Sequence, residues 1–127
     1  MVQQFVVHIE DRPGALSRLT HELAVRRINI HHIAGVGAGT TGHVVLTVDD
    51  EAAAREALLA AGYVFEEGQQ LMVVVDDRPG ALAEVSEKLA RAGVNIHSFL
   101  ILGTRNGRAE LALTVDDIEA ARKALGL

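Results

Sequence analysis

The sequence predicts an α+β chain of two tandem units, each running strand, helix, strand, strand, helix, strand, with the second unit lacking its last strand. Three observations carry this. The hexapeptide Asp11-Arg12-Pro13-Gly14-Ala15-Leu16 recurs unchanged as Asp77-Arg78-Pro79-Gly80-Ala81-Leu82, 66 residues on. Each copy follows a short apolar run and precedes apolar residues at helical spacing. Further along, Thr47-Val48-Asp49-Asp50 returns as Thr114-Val115-Asp116-Asp117, now 67 residues on. Self-similarity of this kind marks repeated structural units.

Strand one reads from Phe5 to Ile9 and, in the second copy, from Leu71 to Val75. Helix one places Leu16, Leu19, Leu23 and Ala24 on one face, and Leu82, Val85, Leu89 and Ala92 on the other copy's face. The hexapeptide is then a strand-to-helix turn. Pro13 and Pro79 suit the first helical position, where a missing N–H costs nothing, and Gly14 and Gly80 clear the side chain beside it. Asn29-Ile30 and Asn95-Ile96 open strand two, Ile30 to Val36 and Ile96 to Leu102. Hairpin turns follow at Gly37 to Gly42 and Gly103 to Gly107, the latter carrying Asn106-Gly107, and the one-residue difference between the repeats is placed in these turns. Strand three reads from Val44 to Val48 and from Leu111 to Val115. Asp50 and Asp117 cap a second helix, carrying Ala53, Ala57, Leu58 and Ala61 in one copy and Ile118, Ala121 and Leu125 in the other. Tyr63-Val64-Phe65 reads as a short fourth strand. The second copy reaches Leu127, which aligns with Ala60, so no fourth strand is expected there. Glu66 to Gln70 reads as the linker, which sets units of 1–68 and 69–127; so short a link is expected to keep them in contact. The topology is an antiparallel sheet with two helices on one face, the ferredoxin-like pattern, and it decides no function by itself.

Composition narrows the function. Two units of this size bury little surface alone, and a hydrophobic content of 49% with mean hydropathy +0.20 argues for strands covered on both faces, hence for pairing within the chain and a homodimer or higher homo-oligomer. A net charge of −5 and a pI near 5.6 give no basic footprint for nucleic acid or an anionic membrane. With three Phe, one Tyr and no Trp, base-stacking platforms are not expected either. The absence of cysteine removes disulfides, thiolate metal sites and a thiol nucleophile together. Met1-Val2-Gln3-Gln4 lacks the basic start and apolar core of a signal peptide, and no apolar run approaches membrane-spanning length, so a cytoplasmic location is expected.

The duplicated turn is where chemistry is expected. Unpaired N–H groups at a helix start attract a carboxylate or phosphate, and the glycines let a ligand approach the backbone. The structural alternative is a tight turn with a capping Asp. A zwitterion needs receptors of both signs a few ångströms apart. Amides at Gly14-Ala15 serve its carboxylate, Asp11 its ammonium, and Asn29 can serve either. No cofactor is required.

With the Asp-Arg-Pro-Gly-Ala-Leu turn, the Gly93-Val94-Asn95-Ile96 start of strand two and this topology, the chain resembles a tandem pair of ACT domains, small ligand-sensing modules of amino-acid metabolism. The resemblance covers nearly all of residues 3–127. It implies paired units holding an amino acid between the turn of one unit and a neighbour. It also implies a separate enzyme or regulator as the protein partner. The ligand-contacting positions it implies are Asp11, Pro13, Gly14, Ala15, Leu16, Asn29 and Ile30 in the first copy, and Asp77, Pro79, Gly80, Ala81, Leu82, Asn95 and Ile96 in the second. Both turns carry Asp where several amino-acid-binding members carry Asn, which favours the ligand's amino group at that point.

Three other readings use the same residues. Acylphosphatases share the topology and would use Arg12 with Asn29 or Arg78 with Asn95, but Pro13 removes an N–H that a phosphate needs. No other catalytic constellation stands out, so the chain is read as non-enzymatic. Histidines 8, 31, 32 and 43 raise a metal site; however, alternation splits His31 from His32, and only His31 has a histidine counterpart, His97. A constitutive interaction module without ligand is the remaining alternative.

Overall fold

The computed structural model describes residues 1–127, which divide into two compact units, Val2–Gly68 and Gln69–Leu127. In the first, β1 (Gln3–Glu10), α1 (Ala15–Ala24), β2 (Ile30–Ala38), β3 (Thr41–Val48), α2 (Glu51–Ala60) and β4 (Phe65–Gln69) follow in order. The sheet runs β2-β3-β1-β4, with β3 antiparallel to both β1 and β2. Alternation sends Phe5 and Val7, opposite Leu46 and Val44, to the helix-covered face. There they pack with Leu19, Leu23, Ala54, Ala57 and Leu58, all fully buried. Each such leucine contributes on the order of 2 kcal/mol of burial energy.

The second unit repeats the plan through β5 (Leu71–Asp76), α3 (Ala81–Arg91), β6 (Ile96–Arg105), β7 (Arg108–Val115) and α4 (Ile118–Leu125), with a three-stranded sheet ordered β5-β7-β6. Leu71, Val73, Val85, Leu89, Leu111, Leu113 and Ala121 form its core. The fold is thus α+β with ferredoxin-like units in tandem. Asp50 and Asp117 cap α2 and α4 as the sequence reading has it, each accepting the N–H three residues on, from Ala53 and Ala120 at 3.0 Å. No helix is long and apolar enough to cross a membrane.

Four local expectations need correction. The first helical turn does not contain the prolines: α1 and α3 begin at Ala15 and Ala81, one residue after a left-handed glycine. Leu16 and Leu82 do not join the core and stay 50% and 40% exposed, because the sheet-facing stripe is Leu19-Leu23 in α1 and Ala81-Val85-Leu89 in α3. The extra residue of the second repeat is not in the hairpin turn. Ala38 faces Thr41 and Arg105 faces Arg108, so both turns hold two residues. The surplus is taken up as a register shift between Ile101 and Gly103 in β6. Finally, most of the stretch read as a linker is strand: β4 runs from Phe65 to Gln69 and leaves only Gln70 before β5. Its glutamates look like loop residues by composition, but they sit on an exposed edge strand where Glu67 pairs with Arg55 and Glu66 with His8.

Candidate functional site

The repeated hexapeptide builds the same turn twice. The Ala15 N–H donates to the Arg12 carbonyl at 3.2 Å, with Pro13 and Gly14 between and Gly14 at φ 88°, ψ −12°. Ala81 donates to Arg78 at 3.3 Å, with Gly80 at φ 90°, ψ −14°. These are type II turns, for which proline at the second place and glycine at the third are the residues required. A side chain at either glycine would be strained. The turn then feeds a helix whose start no side chain caps. The first intrahelical bonds run from Arg18 to Gly14 and from Glu84 to Gly80, at 2.9 and 3.0 Å. Ahead of them, the amides of Leu16 and Ser17, and of Leu82 and Ala83, point out of the helix ends.

Asp11 and Asp77 stand just before these turns. Their backbone amides donate to the hairpin carbonyls of Thr40 (2.9 Å) and Gly107 (2.8 Å), which fixes the turn beside the far end of the second strand. Neither carboxylate caps the helix, and neither has a hydrogen-bond or ion-pair partner. The charges around them are otherwise engaged. Arg12 pairs with Glu10. Arg78 donates to both Glu84 oxygens at 2.9 and 3.0 Å, and that hydrogen bond, followed by the Glu84 charge, holds the guanidinium above its ordinary range.

The asparagines are elsewhere. Asn29 donates its backbone N–H to Asp49 Oδ1 at 2.9 Å and accepts the Asp49 N–H at 3.1 Å; Asn95 and Asp116 repeat both bonds at the same distances. The first Asp of the repeated Thr-Val-Asp-Asp segment thus clasps the start of the second strand, a role the sequence reading missed. Because β1 and β2 run the same way, Asn29 and Ile30 lie at one end of the sheet and Asp11 at the other, ~25 Å apart over eight residues of strand. Within one unit, then, Asp11, Pro13, Gly14, Ala15 and Leu16 come together and Asn29 and Ile30 do not join them. Asp77, Pro79, Gly80, Ala81 and Leu82 likewise cluster without Asn95 and Ile96. The same separation breaks the Arg12–Asn29 and Arg78–Asn95 pairs that an acylphosphatase-like site would use.

Beside Asp11 the first unit carries an open groove of about 360 Å³ between the start of α1 and β2. Ile9, Leu16 and Ile33 wall it, and Gly35 and Gly37 floor it. A Cβ on Gly37 would fall inside the Asp11 carboxylate, so the absent side chain is what lets Asp11 lie against the strand. From sequence Gly35 reads as a strand residue and Gly37 as the start of the hairpin turn. Their two-residue spacing puts both on one face of β2. On the histidines, His8 and His43 rings stand 4.7 Å apart edge to face and His8 Nε2 lies 2.6 Å from Glu66 Oε2. No group of three or more His, Asp or Glu has the arrangement of a metal site.

Residues 70–125 match the family model of the ACT domain, so the second unit is an ACT domain. No curated protein matches the chain. Among solved structures, protein BT0572 from Bacteroides thetaiotaomicron is similar over 99% of this chain and 88% of its own, with a TM-score of 0.78 and 24% identity. The regulatory subunit of aspartate kinase from Thermus thermophilus, in its ligand-free form, is similar over 98% and 91%, with a TM-score of 0.66 and 23% identity. The corresponding subunit from Thermus flavus gives 98%, 90%, 0.66 and 21%. At such identities the likeness is one of fold.

Proposed function

We propose that this ACT-domain protein is a non-catalytic regulator that binds a free amino acid at its strand-to-helix turns and thereby modulates a separate enzyme or regulator of amino-acid metabolism. One observation carries the reading: a carboxylate without a partner stands beside unpaired amides at a helix start, in a turn the chain builds twice. That is the pair of opposite receptors a zwitterion requires. The ligand's ammonium goes to Asp11 or Asp77, and its carboxylate to the amides of Leu16-Ser17 or Leu82-Ala83, around Gly14 or Gly80. Asn29 and Asn95, with Ile30 and Ile96, lie too far away to reach the same ligand from their own unit, so their part is to meet it from a neighbouring ACT unit in an oligomer.

The regulatory half of the proposal draws on the aspartate kinase subunits, whose names make them regulators with this fold. A ligand that favours one pairing of units over another shifts the assembly by its differential affinity, typically ~1–3 kcal/mol of coupling. Such a molecule needs no cofactor, membrane or nucleic acid, and a cytoplasmic setting suits it. Calorimetry with the twenty amino acids tests the ligand. Wild type is expected to bind at least one, and Asp11→Ala combined with Asp77→Ala to lose the signal. Equal binding by the double variant contradicts the role given to these carboxylates.

A further inference from the structure

We infer that the ligand occupies the first unit alone and is an amino acid with a compact aliphatic side chain, its ammonium on Asp11 and its side chain on the glycine floor of β2. The inference rests on the sensor reading above and adds which turn is used and for what. On the helix side of the sheet, Gly35 faces Val44 and Gly37 faces Gly42, so two successive inward positions of β2 carry no side chain. The space they leave is about 360 Å³, open to solvent and lined mainly by apolar groups. That suits a small branched side chain. Leu16 and Ile33, 50% and 45% exposed, stand beside it with unburied apolar surface. No lysine or arginine lines the groove. An acidic side chain would find no counter-charge there, and a polar one would give up water for an apolar floor.

The second unit has filled the same place. The residue facing Leu111 in β6 is Ile101, where Gly35 faces Val44 in β2. Ala109 stands where the first unit has Gly42, and Phe99 where it has Ile33. Past the register shift in β6, Thr104 faces Ala109 as Gly37 faces Gly42, so the second floor position carries a side chain as well. A side chain from the protein itself thus occupies the position that a ligand's side chain takes in the first unit.

Titration calorimetry on the full chain with valine, leucine, isoleucine, lysine and aspartate reads this directly. Wild type is expected to bind an aliphatic amino acid at one equivalent per chain. Gly35→Ile, which copies the second unit, should weaken that binding by at least about tenfold, and Ile101→Val should not change it. A Cβ at Gly35 meets only the His43 carbonyl at 3.8 Å and Val44 Cγ2 at 3.9 Å, so the substitution is compatible with the fold; Gly35→Ala gives a milder step in the same direction. Two equivalents per chain, a preference for a charged side chain, or full affinity in Gly35→Ile would overturn the inference and leave the sensor reading standing. A change of assembly state in Gly35→Ile without any amino acid would also overturn it, making a second copy the occupant. If no amino acid binds the wild type, the sensor reading falls and this inference falls with it.

Discussion

Asp11 and Gly37 act as a pair although 26 positions separate them in the chain. The carboxylate rests where a Cβ would otherwise be, so Gly37→Ala is expected to push Asp11 aside at little cost to the fold, since the group displaced is the end of an exposed side chain. The measurable result is a drop in amino-acid affinity of about tenfold, the scale of one charge-assisted hydrogen bond, with the melting temperature nearly unchanged. Unchanged affinity would mean that the placement of Asp11 is incidental. Asp11 was legible in the sequence because its hexapeptide is copied. Gly37 was not, because its reason lies across the sheet. A second residue-scale case is Arg27, held at φ 56° where the other unit has Gly93 at φ 72°. Both close the helix in the left-handed region that glycine enters without penalty. Arg27→Gly should therefore raise stability in urea titration by ~0.5 kcal/mol, the left-handed penalty less the glycine's unfolded-state entropy.

At the scale of elements, β4 is the part composition concealed. Its Glu66 and Glu67 look like linker residues because an edge strand needs apolar residues on one face only, and here charged partners on α2 and β1 hold it. The Arg55 guanidinium clasps Glu67 through two hydrogen bonds, and this bond, more than the Arg55 charge, holds the Glu67 carboxyl below its ordinary range. A carboxyl depressed in the folded state stabilises the fold above its unfolded pKa and loses that contribution as pH falls through the folded value. Glu67→Gln is therefore expected to be less stable than wild type at neutral pH, with the gap closing in acid, as urea melts at both pH values would register. The helices were legible in extent, since Asp50 and Asp117 announce two of them, but their buried stripes were less so. Leu16 and Leu82 fit the helical period and yet precede the stripe that meets the sheet. Leu58→Ala, at a fully buried position, should cost ~2–5 kcal/mol, whereas Leu16→Ala should leave stability nearly intact and weaken the ligand.

The whole molecule is two copies of one plan that have diverged at the groove. Repetition made the fold readable from sequence, because every element except β4 could be checked against its counterpart in the other unit. Divergence is what repetition hides: the exchange of Gly35 for Ile101 looks like a neutral strand substitution until the pairing puts both on the helix side of their sheets. If the chain is a sensor, its output must appear in its assembly or its partners. Light scattering with and without the amino acid should then show a ligand-dependent change in association. Binding of a free amino acid to the folded chain is read out by thermal unfolding in the presence of each of the twenty amino acids. At 100 times its dissociation constant the ligand adds about 2.7 kcal/mol to the folded state, so Tm is expected to rise by several degrees with at least one of them and not to rise in Asp11→Ala. No shift with any of the twenty would contradict that binding.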